Sequence, residues 1–301
     1  MNRIAHSAFA CVVATALPLA ALAQDAPAYP SPQEALDTLM SALNSNSPEQ
    51  VVGALGPESS TVVLGTAPND REFDWGEIYD DYLDGYRFVP RADGHVGFEL
   101  GKDDWPFPID VVRSDAGWIF DIEEGRNEIM ARQVGLNELD VIDAMEAYVE
   151  IQREFRQVDH DGDGLLEFAA HVISSAGAHD GLYWPGSDSP VGDLVARASM
   201  DGFAEEGSDS AADPYLGYYF RILDAQGPQA PGGEMSYLVN GNMLAGHALL
   251  AVPAVYGESG VHSFLVSENG LVYEADLGEE SLATAASLTS YNPDDEWEPV
   301  E

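Results

Sequence analysis

Asp159-His160-Asp161-Gly162-Asp163-Gly164-Leu165-Leu166-Glu167 is the stretch on which the reading of this chain turns. It closes the longest run of helical periodicity and separates two halves of different pattern. Upstream of it, Val141, Ala144, Tyr148, Ile151, Phe155 and Val158 recur at steps of three and four. Leu139, Ile142, Met145 and Val149 widen that stripe, and so broad an apolar face predicts a helix packed on a sheet. The spacing predicts a helix from Glu138 to about Val158, capped by Asn137 with Asp140 three residues on. A shorter helix, Glu124 to Arg132, is expected to precede it and to stop at Gly135.

Within the stretch, Asp159, Asp161 and Asp163 stand at relative positions 1, 3 and 5, with Gly164 at position 6. A hard cation such as calcium needs several oxygens on a small sphere, and alternating Asp side chains on a tight turn deliver them. Leu165 at position 7 offers its carbonyl, and Glu167 falls at position 9, where a direct or water-mediated ligand is usual. Position 12 is Ala170, so the closing bidentate carboxylate is missing and weak calcium binding is the expectation. The competing reading is a solvated Asp-Gly turn at a helix exit. Without a cation, three carboxylates this close should raise at least one pKa by mutual repulsion.

Downstream, Leu165 to Ile173 reads as a short helix, with Glu167 and His171 four apart on one face. Val191 to Phe203 reads as another, and Gly207 to Pro214 as a polar connection. The last third has the pattern of an antiparallel meander: strands at Tyr218 to Leu223, His247 to Val252, Val261 to Val266 and Leu271 to Ala275. Asn240-Gly241 predicts a type I′ hairpin turn, and Asn269-Gly270 a second turn. The tail, Pro293 to Glu301, is acidic and expected to lie loosely on the surface.

The first half begins with helices. Ser31-Pro32-Gln33-Glu34 carries an N-cap, a first-turn proline and a capping-box acid, and Leu36, Leu39, Met40 and Leu43 follow at helical spacing. Ser47-Pro48-Glu49 opens a second helix, stopped by Gly56-Pro57, and Asp74 to Leu83 reads as a third. Short strands follow at Tyr86 to Val89 and His95 to Leu100. Phe107 to Arg113 and Trp118 to Ile122 form a hairpin across Ser114-Asp115-Ala116-Gly117.

The expected architecture is therefore α+β: N-terminal helices on a curved antiparallel sheet, then a long helix packed on an antiparallel meander. Residues 1–23 read as a leader, with Arg3 before the apolar run from Ile4 to Ala21 and a cleavage site after Ala23. Residues 24–32 read as a linker, 33–123 as a cone-like domain and 124–301 as a helix-plus-sheet domain. The expected destination is the periplasm or the medium, with no membrane-spanning segment left after cleavage. Cys11 is the one cysteine, so the mature chain would have neither disulfide nor cysteine-ligated metal.

Charge narrows the partners. Lys and Arg number 12 against 53 Asp and Glu, a net charge of −41. Such a surface repels phosphate backbones and anionic membranes and attracts cations, which disfavours nucleic acid as a partner. An envelope or extracellular partner is the expectation. There is no Gly-x-Ser-x-Gly elbow, Ser-x-x-Lys, His-Glu-x-x-His or phosphate-binding loop. The leading functional reading is a non-catalytic exported module; the other is a periplasmic hydrolase or isomerase with an acid-base set drawn from His179, His247 and His262.

Three resemblances add to this. The helices of Gln33 to Asp121, followed by strands ending in the Asp115-Ala116-Gly117-Trp118 hairpin, resemble the nuclear-transport-factor-two-like fold, which implies a cone with an apolar mouth. The Asn137-Glu138 helix with a meander through Ser259-Gly260-Val261-His262-Ser263-Phe264 and Asn269-Gly270-Leu271-Val272-Tyr273 is similar to the soluble part of pseudopilins. A whole domain precedes the helix here, so filament formation is not implied. Asp103-Asp104-Trp105-Pro106-Phe107-Pro108, the Asp159–Glu167 stretch, Asp180-Gly181-Leu182-Tyr183-Trp184-Pro185, Gly217-Tyr218-Tyr219-Phe220-Arg221-Ile222-Leu223 and Tyr256-Gly257-Glu258-Ser259-Gly260 together resemble the bacterial exported family catalogued as domain of unknown function 2950. That resemblance implies no catalytic residues.

Overall fold

The computed structural model of the protein describes residues 26–64, 74–200 and 213–300. The expected leader, and the polar stretch as far as residue 212, lie outside the described residues. The N-terminal helices are α1 (Pro32–Asn44), α2 (Pro48–Leu55), α3 (Ser60–Leu64) and α4 (Trp75–Asp84). Their starts follow local chemistry. The side chains of Ser31, Ser47 and Asp74 accept from backbone N–H groups of the first turns, satisfying donors that the helix itself leaves open.

These helices pack on an antiparallel sheet of β1 (Tyr86–Pro90), β2 (Val96–Leu100), β3 (Trp105–Pro106), β4 (Val111–Ser114) and β5 (Gly117–Phe120). The order is β1-β2-β4-β5, with β3 also on β2. Leu36, Leu39, Met40, Phe98, Leu100 and Val111 make the fully buried centre of this first core. The expected strand from Phe107 begins later, at Val111, because Pro108 has no N–H to contribute; Phe107 N still donates to Phe98 O of β2 at 2.9 Å. At the hairpin, Gly117 has φ +142, and a Cβ there would stand 2.6 Å from the Tyr29 carbonyl oxygen. The missing side chain lets Tyr29 and Trp118 exchange backbone bonds of 2.7 and 2.8 Å, which tie the incoming segment to the sheet edge.

The chain then enters α5 (Ile122–Phe155), one uninterrupted helix of 34 residues. Two helices divided at Gly135 were expected, and this is corrected. A helical glycine costs only about 1 kcal/mol relative to alanine, too little to break a helix supported on both sides. Asn137 is not a cap. It lies inside the helix, 8% exposed, and its side-chain amide donates to Ser259 O at 2.9 Å. The neighbouring Glu138 carboxylate accepts from the N–H groups of Val261 and His262 at 2.8 and 2.9 Å. The inward stripe is narrower than expected: Val141, Met145, Tyr148 and Phe155 are buried, whereas Leu139 (61%) and Val158 (52%) are exposed.

Beyond the acidic loop the expected helix from Leu165 to Ile173 is absent. The segment runs extended into β6 (His171–Ile173), which pairs in parallel with β7 (Gly181–Tyr183). The cause is a residue far back in sequence. Fully buried Gln152 accepts from Ala169 N at 2.9 Å and donates to Ala169 O at 3.0 Å, taking the place of a neighbouring strand. The helix expected at Val191 to Phe203 is a short α6 (Asp193–Arg197); residues 201–203 lie outside the described part.

The meander follows as β8 (Tyr218–Leu223), β9 (Ala225–Gln226), β10 (Met235–Ser236), β11 (Leu238–Val239), β12 (Asn242–Met243), β13 (Ala248–Pro253), β14 (His262–Ser267), β15 (Tyr273–Asp276) and β16 (Glu298–Pro299), with α7 (Ser281–Ser287) between the last two. Its main sheet has the order β16-β15-β14-β13-β8, and every pairing is antiparallel. All six residues of β13 are buried, and α5 packs on β13 and β14. Asn240 and Gly241 have φ +56 and +98, as a type I′ turn requires. At Asn269-Gly270 only Gly270 has positive φ, and β15 begins later than expected, at Tyr273. The tail is also corrected. Trp297 is 7% exposed, and β16 pairs with β15, so an acidic composition does not leave this end loose.

Candidate metal centre

The acidic loop begins where α5 ends. His160 fixes the exit: its ring stacks on Phe155 at 4.1 Å and its Nε2 lies 3.1 Å from Phe155 O. The chain then folds over the first aspartate. Asp159 Oδ1 accepts from Gly162 N at 2.7 Å, and Oδ2 from Gly164 N at 3.0 Å. Asp161 accepts from Asp163 N, and Asp163 Oδ1 from Leu165 N. Gly162 and Gly164 have φ +81 and +91, a region that glycine enters at no steric cost. These turns gather one oxygen from each of Asp159, Asp161 and Asp163 within 4.8 Å of one another, on the exposed side of the loop.

The loop is also fastened to the second half. Asn242, on the far side of the Asn-Gly hairpin, donates to Asp163 Oδ2 at 2.9 Å. One residue on, Met243 O accepts from Phe168 N at 2.9 Å. The hairpin thus holds both the loop and its exit.

Backbone donors and neighbouring charges act on different carboxyls of the loop. The Gly162 N–H, with that of Gly164 helping, holds the Asp159 carboxyl below the usual carboxylate range. The rise appears at Glu167. Partial burial pushes its carboxyl up, and the charges of Asp161 and Asp163 push it further. Glu167 therefore feels the triad. Leu165 sits between them, exposed, with its N–H committed to Asp163 and its carbonyl free of any backbone partner in the loop's own turns. At the twelfth position Ala170 is drawn into the β6–β7 region through a bond to Asp180 O.

The histidines do not gather. His247 is buried at the start of β13, between Tyr148 and Phe168, and burial lowers its pKa to about 4. His262 stands at the opposite end of the paired strands, 3.3 Å from Glu138. His179 stacks on Trp184 at 4.4 Å. The Glu167–His171 pairing dissolves with the helix that was to carry it. The apolar cavity beneath α1, α2 and α4 is about 40 Å³, and the residues lining it, such as Leu39, Leu55, Trp75 and Ile109, include no titratable acid or base.

One polar pair escaped sequence reasoning: Asn137 and Glu138, which grip the turn between β13 and β14 from inside α5. A cap-type residue followed by an acid signals a helix start locally. Nothing local reveals a partner 122 residues away.

A helix-terminal acidic turn fastened to an antiparallel meander, with a second helix-on-sheet core ahead of it, defines a two-core α+β protein. The chain belongs to the family described as Protein of unknown function (DUF2950), whose family model matches residues 26–300. Neither the curated proteins nor the solved structures give a match.

Proposed function

We propose that this protein is an exported, non-catalytic module of the envelope or the medium, and that its acidic loop takes one calcium ion. Asp159, Asp161 and Asp163 supply carboxylate oxygens, Leu165 its carbonyl, and Glu167 a direct or water-mediated ligand. The observation that carries this reading is the 4.8 Å gathering of three carboxylate oxygens by the loop's own backbone bonds. The absence of a closing acid at Ala170 makes the site weak. The ion's role is architectural: it would fix the exit of α5 against the Asn240-Gly241 hairpin. The separation of His179, His247 and His262 and the apolar lining of the N-terminal cavity favour this reading over acid-base catalysis. Export rests on the leader pattern and cleavage after Ala23; among the described residues no helix is long and apolar enough to cross a membrane.

Calorimetry of the chain from Gln24 onward tests the ion. Calcium at about 100 times its Kd should add about 2.7 kcal/mol, and chelator should remove the gain. Asp161→Ala should abolish the calcium-dependent rise in Tm. An unmoved Tm in the unsubstituted protein would reduce the loop to a turn. Mass spectrometry of the protein from its native host should find Gln24 at the N-terminus; an intact residue 1–23 segment would overturn the export reading.

A further inference from the structure

Of the described histidines only His247 is buried, at 1% exposure. Its Nδ1 reaches neither solvent nor a hydrogen-bond partner. A buried polar atom left unpaired is a standing cost to the fold, which an apolar residue of similar size would avoid. The residue stands just ahead of β13, in the joint between α5 and the segment that leaves the acidic loop. Tyr148 of α5 meets its ring at 5.2 Å and 79°, and Phe168 at 4.6 Å and 61°. These two walls are bonded to each other around it. Gln152 holds both the Ala169 backbone and the Tyr148 hydroxyl, and that hydroxyl donates to Ala248 O at 3.2 Å.

The joint suits only the neutral ring. From α5, the Arg156 guanidinium lies 4.5 Å over the Phe168 ring, and it and Arg153 repel a second positive charge. Glu167, beside Phe168, turns its carboxylate to the Met243 N–H. Among the described residues no acid pairs with His247. Burial, with the two guanidiniums, therefore holds its pKa at about 4, against about 6.5 in an open chain. The walls differ in strength. α5 runs on for 34 residues, whereas Phe168 to Ala170 is held by single backbone bonds to Met243 and Asp180 and by Gln152. A charge placed in the joint opens it on the Phe168 side before it unfolds the core.

We propose that His247 is an acid-operated latch: proton uptake by its imidazole releases Phe168 to Ala170 from α5, and with them the seat of the acidic loop. The closed joint is fully stable above about pH 6.5 and weakens as pH falls toward 4, because the open form takes up the proton more readily. The latch works through the joint itself and does not depend on an ion in the loop.

The test is amide hydrogen exchange on the chain from Gln24 onward, in chelator, at pH 7 and pH 5. Both lie above the pI of about 4.1. Between them the protection factors of the Ala169 and Ala170 amides should fall by about 20-fold, while those of Leu250 and Leu265 in the sheet hold. In His247→Phe the fall should vanish. It should vanish in His247→Leu as well, which keeps the test decisive if the larger ring packs badly. Arg156→Gln removes a repelling charge from the joint and should shrink the fall. A fall of equal size in the wild type and both His247 variants overturns the proposal. So does an equal loss of protection at Leu250 and Leu265, which would mean that the whole core opens and not the joint.

Discussion

His95 shows how much one side chain can couple. Its Nε2 lies 3.0 Å from Asp121, and Asp121 is the N-cap of α5, accepting from Glu124 N. The Asp121 contact, with Asp93 on the other nitrogen, outweighs burial and raises the His95 pKa. Burial pushes the Asp121 carboxyl up, but His95 and the Glu124 N–H outweigh it, so the net shift is down. The signs follow. An imidazole with a raised folded pKa stabilises fully below its unfolded value of about 6.5 and loses that contribution as pH rises through the folded value. A carboxylate with a lowered folded pKa stabilises above its unfolded value of about 3.9 and loses the contribution as pH falls. The pair therefore contributes most between roughly pH 4 and 6.5. Urea unfolding of the wild type and His95→Gln should differ most near pH 5.5, and the difference should shrink by about pH 8.5. A gap independent of pH would mean that the imidazole acts only by packing.

Among the elements, α5 allows a paired prediction. Gly135→Ala should stabilise the protein by about 0.5–1 kcal/mol, because the site is helical and a Cβ there meets nothing within 4 Å. Asn137→Ala should cost about 1–3 kcal/mol, because it strips a half-buried carbonyl of its partner. Thermal unfolding of the two variants checks both signs; equal destabilisation would restore a helix break at Gly135. The same helix shows what was legible in the sequence. Local signals held wherever the partner is local: Ser31 caps α1, Asn240-Gly241 turns the hairpin, and the stripe through Val141, Met145, Tyr148 and Phe155 faces a sheet. They failed where a distant group overrides them. Asn137 has the chemistry of a cap but spends it on Ser259. Leu165 to Ile173 has apolar content that suits a helix, but Gln152 offers Ala169 a strand-like partner and the segment extends. Of the candidate centre, the Asp159, Asp161 and Asp163 spacing was readable because the turn is made within six residues. The Asn242 bond that fastens it, 79 residues on, was not.

For the whole molecule, the dominant fact is 53 acids against 12 Lys and Arg. Among the described residues, several cations are taken up by nearby acids and carbonyls, as in Arg132 on Glu128 and Pro106 O, and Arg221 on the carbonyls that end α7. The rest of the negative charge repels itself across both cores, and that repulsion is screened within about 3 Å at 1 M salt. Raising sodium chloride from about 0.05 to 1 M should therefore raise Tm in the wild type and in Asp161→Ala alike. Calcium at low millimolar concentration should discriminate between them. A Tm that falls with salt would place favourable ion pairs above net repulsion.

The unbroken helix has a last consequence. Ile122 belongs to the first core and Phe155 to the second, so α5 is a shared axle about 50 Å long at 1.5 Å per residue. Angular phase along an axle is quantised by its pitch. One residue inserted between Ile122 and Asn137 would turn everything beyond it by about 100°, swinging Glu138 away from the turn it grips. Only changes close to whole turns, such as seven or eleven residues, would bring the grip back into register, at the cost of a longer axle. Changes of length should therefore be borne by its loops, while α5 can change only in steps set by its own screw.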